Sequence, residues 1–132
     1  MPLIDAVGWV CVCDRRLLCV RSRGKDAFYL PGGKREPGES DWEALSREVC
    51  EEVKVSLQRD DFEFFGIYHG PAHGYSTGRK VEIICYTASY EGTPTPSREI
   101  ERMGWFVHRD RHCCAVLTKQ ILDELYLKDR ID

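Results

Sequence analysis

The sequence predicts a mixed α/β (α+β) fold in which a mixed β-sheet lies between helices. Three observations lead there. Short runs of β-branched and aromatic residues, punctuated by Gly and Pro, recur along the chain. Two longer segments repeat apolar residues at spacings of three and four, the period of an amphipathic helix. The two kinds of segment follow one another without the regular strand–helix–strand alternation of a doubly wound sheet. The 132 residues are expected to form one domain, because a chain of this length buries about two-thirds of its extended surface without disulfides or metal staples.

Leu3 to Cys13 is rich in β-branched and apolar residues, Asp14 to Arg16 is a polar turn and Leu17 to Val20 is apolar again, which reads as a hairpin. Arg21 to Asp26 is a charged loop. The run Phe28-Tyr29-Leu30 is stopped by Pro31-Gly32-Gly33, and Pro37-Gly38 marks a second turn. From Asp41 to Val53, the residues Trp42, Leu45, Val49 and Val53 form an apolar stripe, with Ser40 or Asp41 as N-cap and acids in the first turn. Phe62 to Tyr68 and Val81 to Tyr90 read as strands separated by a Gly/His-rich loop, His69 to Gly78. Glu91 to Arg98, with Pro94 and Pro96, is a loop, and Met103 to Val107 is a strand. Cys114 to Leu127 is a closing helix whose stripe is Val116, Leu117, Ile121, Leu122 and Leu125.

Composition excludes several classes of function. The chain is 42% hydrophobic and 31% charged, with 19 Lys plus Arg against 22 Asp plus Glu and a net charge of -3. No stretch approaches the ~18 to 20 apolar residues that span a bilayer, so no membrane partner is expected. The opening MPLIDAVGW has neither a basic region nor a cleavage site, which points to the cytoplasm. A mildly acidic balance argues against gripping duplex nucleic acid over a broad basic face, but not against a nucleotide. Seven cysteines are an odd number, and none forms a CxxC pair; they are read as small hydrophobes in a reducing compartment rather than as zinc or redox groups.

The chemistry sits on the first helix. With Glu48 at zero on a wheel of ~100° per residue, Glu52 falls near ~40° and Glu51 near ~−60°, while the apolar stripe spans about 60° to 140°. Three carboxylates thus share one arc beside the buried face. Like charges at these spacings destabilise a helix by a few tenths of a kcal/mol per pair, and no Lys or Arg at a matching spacing within the helix is expected to neutralise them. A divalent cation would remove the repulsion; a solvated acidic face is the alternative the helix alone leaves open. Just upstream, Tyr29-Leu30-Pro31-Gly32-Gly33-Lys34 supplies tight turns that let backbone approach a ligand. Carboxylates together with a backbone carbonyl of this turn suit Mg2+, with Mn2+ as a substitute, and leave positions for water and phosphate oxygens.

These residues resemble a known family. Gly33, five residues, Glu39, seven residues, and Arg47-Glu48-Val49-Cys50-Glu51-Glu52-Val53-Lys54-Val55 are similar to the Nudix box, Gly-x5-Glu-x7-Arg-Glu-aliphatic-x-Glu-Glu-x-Gly-aliphatic. Every charged position is present over residues 33–55, and the flanking order of elements resembles a minimal MutT-like domain over residues 1–132. Lys54 departs from the pattern, standing where the family has glycine at the end of the helix, a place usually taken by a left-handed residue.

The resemblance implies an α/β/α sandwich and hydrolysis of a phosphoanhydride in a nucleoside diphosphate linked to a group X. It implies Glu51 and Glu52 as metal ligands, Glu48 as ligand or general base, and Arg47 orienting Glu48. Glu39 would be an outer ligand or hold a helix terminus, and Gly32 would offer its carbonyl. The extra late acid is best matched by Glu99, with Glu101 and Glu82 behind it. Arg21, Arg23, Lys34 and Tyr29 are candidates for substrate contact; solvated loop charge and, for Phe28 and Tyr29, core packing are the other readings. His69, His73, Tyr75, Arg79 and Lys80 either close over a polyphosphate or belong to a simple connection. The chain contains no Asn, whereas the MutT enzyme that removes oxidised guanine nucleotides relies on one, so the resemblance does not extend to that substrate. Alternatives are an ADP-ribose or nucleotide-sugar pyrophosphatase and a non-catalytic nucleotide-binding module, each a monomer or homodimer with a small-molecule nucleotide as partner. Seven acids against one base between Glu36 and Glu52 give this segment a net -6 and the remainder +3, so a concentrated cation site is embedded in a mildly basic body.

Overall fold

The computed structural model describes residues 3–71 and 79–132. Nine strands and two helices follow in the order β1 (Ile4–Trp9), β2 (Val12–Cys13), β3 (Arg16–Ser22), β4 (Gly32–Lys34), α1 (Asp41–Val53), β5 (Ser56–Leu57), β6 (Glu63–Pro71), β7 (Lys80–Thr87), β8 (Tyr90–Glu91), β9 (Ile100–Phe106) and α2 (Val116–Leu127). They form a four-stranded sheet ordered β4-β1-β7-β6, a three-stranded sheet β2-β3-β9 and the pair β5-β8. Among the strands of the described residues β1 and β7 pair in parallel, Ile4 opposite Val81 through Trp9 opposite Tyr86, and the other ladders are antiparallel. The mixed character of the sheet agrees with the sequence reading.

The first hairpin is smaller than the sequence predicts. Leu3 to Cys13 is not one strand: β1 ends at Trp9, and only β2 turns back onto β3, so the chain passes between the two larger sheets at Val10-Cys11. A continuous apolar run carries no mark at the point where a strand changes sheet. A second correction concerns Gly32 to Lys34, which is the edge strand β4 as well as a turn, pairing with Ala6 to Gly8. The run 81–90 divides into β7 and β8, and the short strand β5, unmarked in the sequence, pairs with β8.

Alternation along the strands creates two cores. Val7, Trp9, Leu18 and Val20 pack with Ala44, Leu45, Val49 and Val53 of α1. Val10, Leu17 and Cys19 pack with Ile121, Leu122 and Leu125 of α2. Successive residues of β3 therefore serve opposite cores, and the helices cover opposite faces, giving the α/β/α sandwich. Val116, part of the predicted stripe, is instead 41% exposed. Cys11, Cys19, Cys85 and Cys114 are buried as expected, but Cys13 and Cys50 are at the surface. No described helix is long and apolar enough to cross a membrane.

Helix α1 starts where the sequence places it. Ser40 is the N-cap: its hydroxyl accepts from the Glu43 amide at 3.1 Å, and the Glu43 carboxylate accepts from the Ser40 amide at 2.9 Å. This reciprocal pair satisfies two of the otherwise orphaned donors of the first turn. The helix ends at Lys54, which adopts the left-handed conformation (φ 60°, ψ 34°) with its amide on the Cys50 carbonyl. A side chain pays a steric cost there that glycine avoids. Lys54→Gly is expected to raise stability by about 1 kcal/mol, read as a higher denaturant midpoint at unchanged slope; a lower midpoint would show that the lysine side chain makes a stabilising contact outweighing the strain.

Candidate functional site

The site is built where β4 meets α1. Gly32 has φ +147°, and a Cβ on it would strike the Val7 carbonyl oxygen on β1. Glycine is thus required for the close pairing of β4 with β1. At Gly33, a Cβ would lie 2.6 Å from a carboxylate oxygen of Glu48, so the missing side chain is the space that Glu48 occupies. The Gly32 amide donates to Glu52 Oε1 at 2.8 Å. The two glycines thereby seat two acids of α1 against the sheet edge.

Arg47 organises the remaining acids. Its Nε and Nη2 donate to the two oxygens of Glu39, each at 2.8 Å, and Nη1 donates to Glu48 Oε1 at 2.8 Å and more weakly to Glu51 Oε1 at 3.4 Å. Nη2 also reaches the Lys34 carbonyl at 3.3 Å. This corrects the expectation that no base within the helix neutralises the acidic arc: Arg47 and Glu51 are four apart and form the matching pair. Glu39 accepts in addition from the Glu36 amide at 2.7 Å, so it holds Arg47 and the turn before the helix.

The acids consequently titrate in opposite directions. The Arg47 hydrogen bonds push Glu39 down to about 2. Burial pushes Glu52 up to about 8, with the negative charges of Glu48, Glu99 and Glu51 adding to the effect despite the Gly32 amide. Glu48 is also raised, chiefly by burial, against the opposing pull of Arg47. Glu99 lies on the loop before β9, its carbonyl bound by the Arg23 amide at 2.8 Å. Its charge is felt by Glu48 and Glu52, whereas Glu101 pairs with Arg21 at 2.7 Å and Glu82 with His69 at 2.8 Å. Of the three late acids, Glu99 is the one whose charge reaches Glu48 and Glu52.

Among the described residues no three His, Cys, Asp or Glu side chains converge as a closed cage for an ion. The donor set nevertheless fits a hard divalent cation: hard carboxylate oxygens, with the ionised form of Glu52 disfavoured by burial and by neighbouring negative charge that a cation would offset.

Beside the carboxylates is a cavity of about 290 Å³ lined by β1, β3, β7 and both helices, including Tyr29, Leu30, Gly32, Gly33 and Glu52. Its walls are mostly apolar. Tyr29 and the two glycines join the acids in one place, as the sequence predicts. Arg21 does not: it lies over the Phe28 ring at 5.8 Å and lines a separate groove. Phe28 packs on Phe106 with centroids 4.7 Å apart, a core role. Arg23 and Lys34 are exposed near the site through their backbone bonds to Glu99 and Arg47. His73 and Tyr75 lie outside the described residues.

Sequence reasoning missed Thr118 and Lys25, which also line the cavity. Thr118 carried a readable signal. It stands on the apolar stripe of α2, three, four and seven residues before Ile121, Leu122 and Leu125, where a polar side chain is out of pattern.

The NUDIX domain family model matches residues 2–113 of the chain. Among solved structures, the MutT NUDIX hydrolase from Burkholderia pseudomallei superposes with a TM-score of 0.78 at 23% identity, over 94% of this chain and 98% of that one. The NUDIX hydrolase from Nitrosomonas europaea gives 0.77 at 24% identity, over 98% and 92%. The E. coli ORF135 protein gives 0.75 at 21% identity, over 96% and 91%. A comparison with curated protein sequences gave no match.

The raised Glu52 sets a pH dependence in the cation-free protein. A folded-state pKa of about 8 above an unfolded value near 4.5 means that the folded state binds this proton more tightly. The resulting stability is full below about 4.5 and is lost as pH rises through about 8. In EDTA, the melting temperature is expected to fall between about pH 5 and about pH 9, and Glu52→Gln is expected to flatten that slope while keeping the acceptor for the Gly32 amide. Parallel slopes for the two proteins would remove Glu52 as the cause.

Proposed function

The chain belongs to the NUDIX domain family, and from that premise we propose that this Nudix hydrolase is a divalent-metal-dependent pyrophosphohydrolase of small nucleotides, cleaving a phosphoanhydride of a nucleoside diphosphate linked to X by attack of water at phosphorus. The observation that carries the reading is the joining of Glu48, Glu51 and Glu52 on α1 to a mostly apolar cavity through Glu52 and the two glycines of β4. Acids collect a cation at one wall of a space that accepts an uncharged ring.

Glu51 and Glu52, together with the Gly32 carbonyl and Glu99, would hold Mg2+, with Mn2+ as a substitute. Such an ion supplies charge neutralisation at phosphate and a lowered pKa for water. In this reading Glu48 takes the proton of the attacking water. Arg47 engages its Oε1 at 2.8 Å and so fixes the carboxylate, while half-burial raises its proton affinity. Arg47 is itself anchored by both oxygens of Glu39, so Glu39 acts as a positioning residue. Arg23, Lys34 and Lys25 supply positive charge for the polyphosphate, and Tyr29 borders the nucleoside.

A binding-only module is disfavoured by the cost of the carboxylate cluster. Two of its acids have raised pKa values beside a cavity, a combination that supports a catalytic role for the cluster.

The test is phosphate or pyrophosphate release from a panel of NTPs, oxidised dNTPs, NDP-sugars and dinucleoside polyphosphates, with Mg2+ or Mn2+. Glu48→Gln and Glu52→Gln are expected to lower kcat by about 10² to 10⁴ while retaining the wild-type circular dichroism. Unchanged kcat in both variants overturns the assignment, and a wild-type protein that binds these nucleotides without cleaving any supports the binding module. Glu39→Gln is expected to lower kcat less, about tenfold, with little change in KM, since it acts through Arg47.

A further inference from the structure

Consecutive residues from Gly32 to Arg35 each meet a residue of α1. The Gly32 amide donates to Glu52 Oε1 at 2.8 Å, the missing side chain of Gly33 leaves room for Glu48, and the Lys34 carbonyl accepts from Arg47 Nη2 at 3.3 Å. Arg35 completes the series, its Nη1 donating to Asp41 Oδ1 at 2.5 Å. The first three contacts involve residues on which the hydrolase reading rests. The fourth lies at the other end of the helix and has no part in that reading.

This last contact is held from both sides. Arg35 Nη2 pairs with Asp5 on β1, and the second oxygen of Asp41 accepts from the Tyr86 hydroxyl on β7. The Tyr86 ring is itself stacked on Phe62, with centroids 4.3 Å apart. The Arg35 side chain is 19% exposed and that of Asp41 26%, so the pair is shielded from much of the water that weakens ion pairs at an open surface. Asp41 is the first residue of α1. The start of the helix is thereby tied to β1, to β7 and to the end of β4.

The C-terminal end of α1 has anchors of its own. Its Glu52 and Val53 carbonyls accept from the Ser97 and Thr95 amides, each at 2.9 Å, and the Glu52 side chain is bound to Gly32. A rod fixed at one end pivots, whereas one fixed at both ends keeps its direction. At a rise of ~1.5 Å per residue, Asp41 is about 16 Å from Glu52 and Glu48 is about 6 Å from it. A displacement of ~1 Å at Asp41 therefore moves Glu48 by about 0.4 Å and Glu52 hardly at all. Ala44 and Leu45 are buried and oppose larger movement, but their packing has no directional bond. Shifts of a few tenths of an ångström matter at a reacting group.

We propose that Arg35 is a positioning residue of this enzyme: by tying Asp41 to β1 and to the end of β4 it fixes the direction of α1, and so the place of Glu48 relative to the metal ligands nearer the pivot. The proposal rests on the reading of Glu48 as the group that takes the proton and of Glu51 and Glu52 as ligands. Arg35 bonds to none of these three acids among the described residues; it acts through the helix.

Arg35→Gln is the test, and Arg111→Gln is the control, because it breaks the Arg111–Asp123 pair on α2, at 2.9 and 3.0 Å. On a nucleotide that the wild type cleaves, Arg35→Gln is expected to lower kcat about tenfold. KM and the Mn2+ dissociation constant, read by electron paramagnetic resonance titration, are expected to change less than about twofold, since the ligands lie near the pivot. Tyr86→Phe, which keeps the ring, is expected to give a smaller loss of the same kind, and Arg111→Gln to keep kcat. Hydrogen exchange of the cation-free proteins supplies a readout that needs no turnover. In Arg35→Gln the amides of Ala44 to Ser46 are expected to exchange at least about tenfold faster, and those of Val49 to Val53 at the wild-type rate. Unchanged kcat, a loss of kcat matched by an equal rise in the Mn2+ constant, or faster exchange along the whole helix overturns the proposal. If the wild type cleaves no member of the panel, the hydrolase reading falls, and the exchange pattern alone upholds or overturns the anchoring of α1 by Arg35.

Discussion

The approach of β4 to both β1 and α1 is the constraint on which the rest of the site depends. It is possible only because neither Gly32 nor Gly33 has a side chain. A Cβ on Gly32 would meet the backbone of β1, and one on Gly33 would meet Glu48. One short strand thus closes the edge of the four-stranded sheet, donates an amide to Glu52 and makes room for Glu48. Any side chain here displaces the strand, the helix or the acid, because the space is shared by backbone on one side and by a functional carboxylate on the other.

With the backbone fixed, electrostatics divides the acids of α1 into two groups. Arg47 forms a bidentate pair with Glu39 and a single bond with Glu48. Charge-assisted pairs of this geometry are the stronger kind, and they keep Glu39 ionised. Glu52 is one turn beyond Glu48, against the cavity, where it accepts from the Gly32 amide and forms no ion pair among the described residues. Burial there, with like charges adding to it, disfavours its ionised form. The same helix therefore has a neutralised end that holds shape and an unneutralised end that holds chemistry.

Much of this was legible in the residues. The α1 limits, the cap at Ser40 and the arc of Glu48, Glu51 and Glu52 follow from period and capping chemistry, which act within a few residues. The left-handed Lys54 follows from a position where glycine is the usual occupant. The Arg47–Glu51 pair is equally local, a base and an acid four residues apart on one helix. Other features were not readable locally. The change of sheet at Val10-Cys11 depends on β7 arriving from more than seventy residues later, and the pairing of Arg21 with Glu101 rather than with the cavity depends on the β3-β9 register. Thr118 belongs between these cases: its misfit on an apolar stripe is visible in the sequence, but its meaning requires the cavity that α2 and the sheets enclose.

The last turn of α1 also has a mechanical role. Its Glu52 and Val53 carbonyls accept from the Ser97 and Thr95 amides, each at 2.9 Å. The segment that carries Glu99 is therefore tied through its backbone to the helix that carries Glu48, Glu51 and Glu52. Chain-length changes between β8 and Thr95 are absorbed upstream of this joint. The joint makes the 91–94 stretch the natural place to insert residues or a reporter without altering the spacing of the acids.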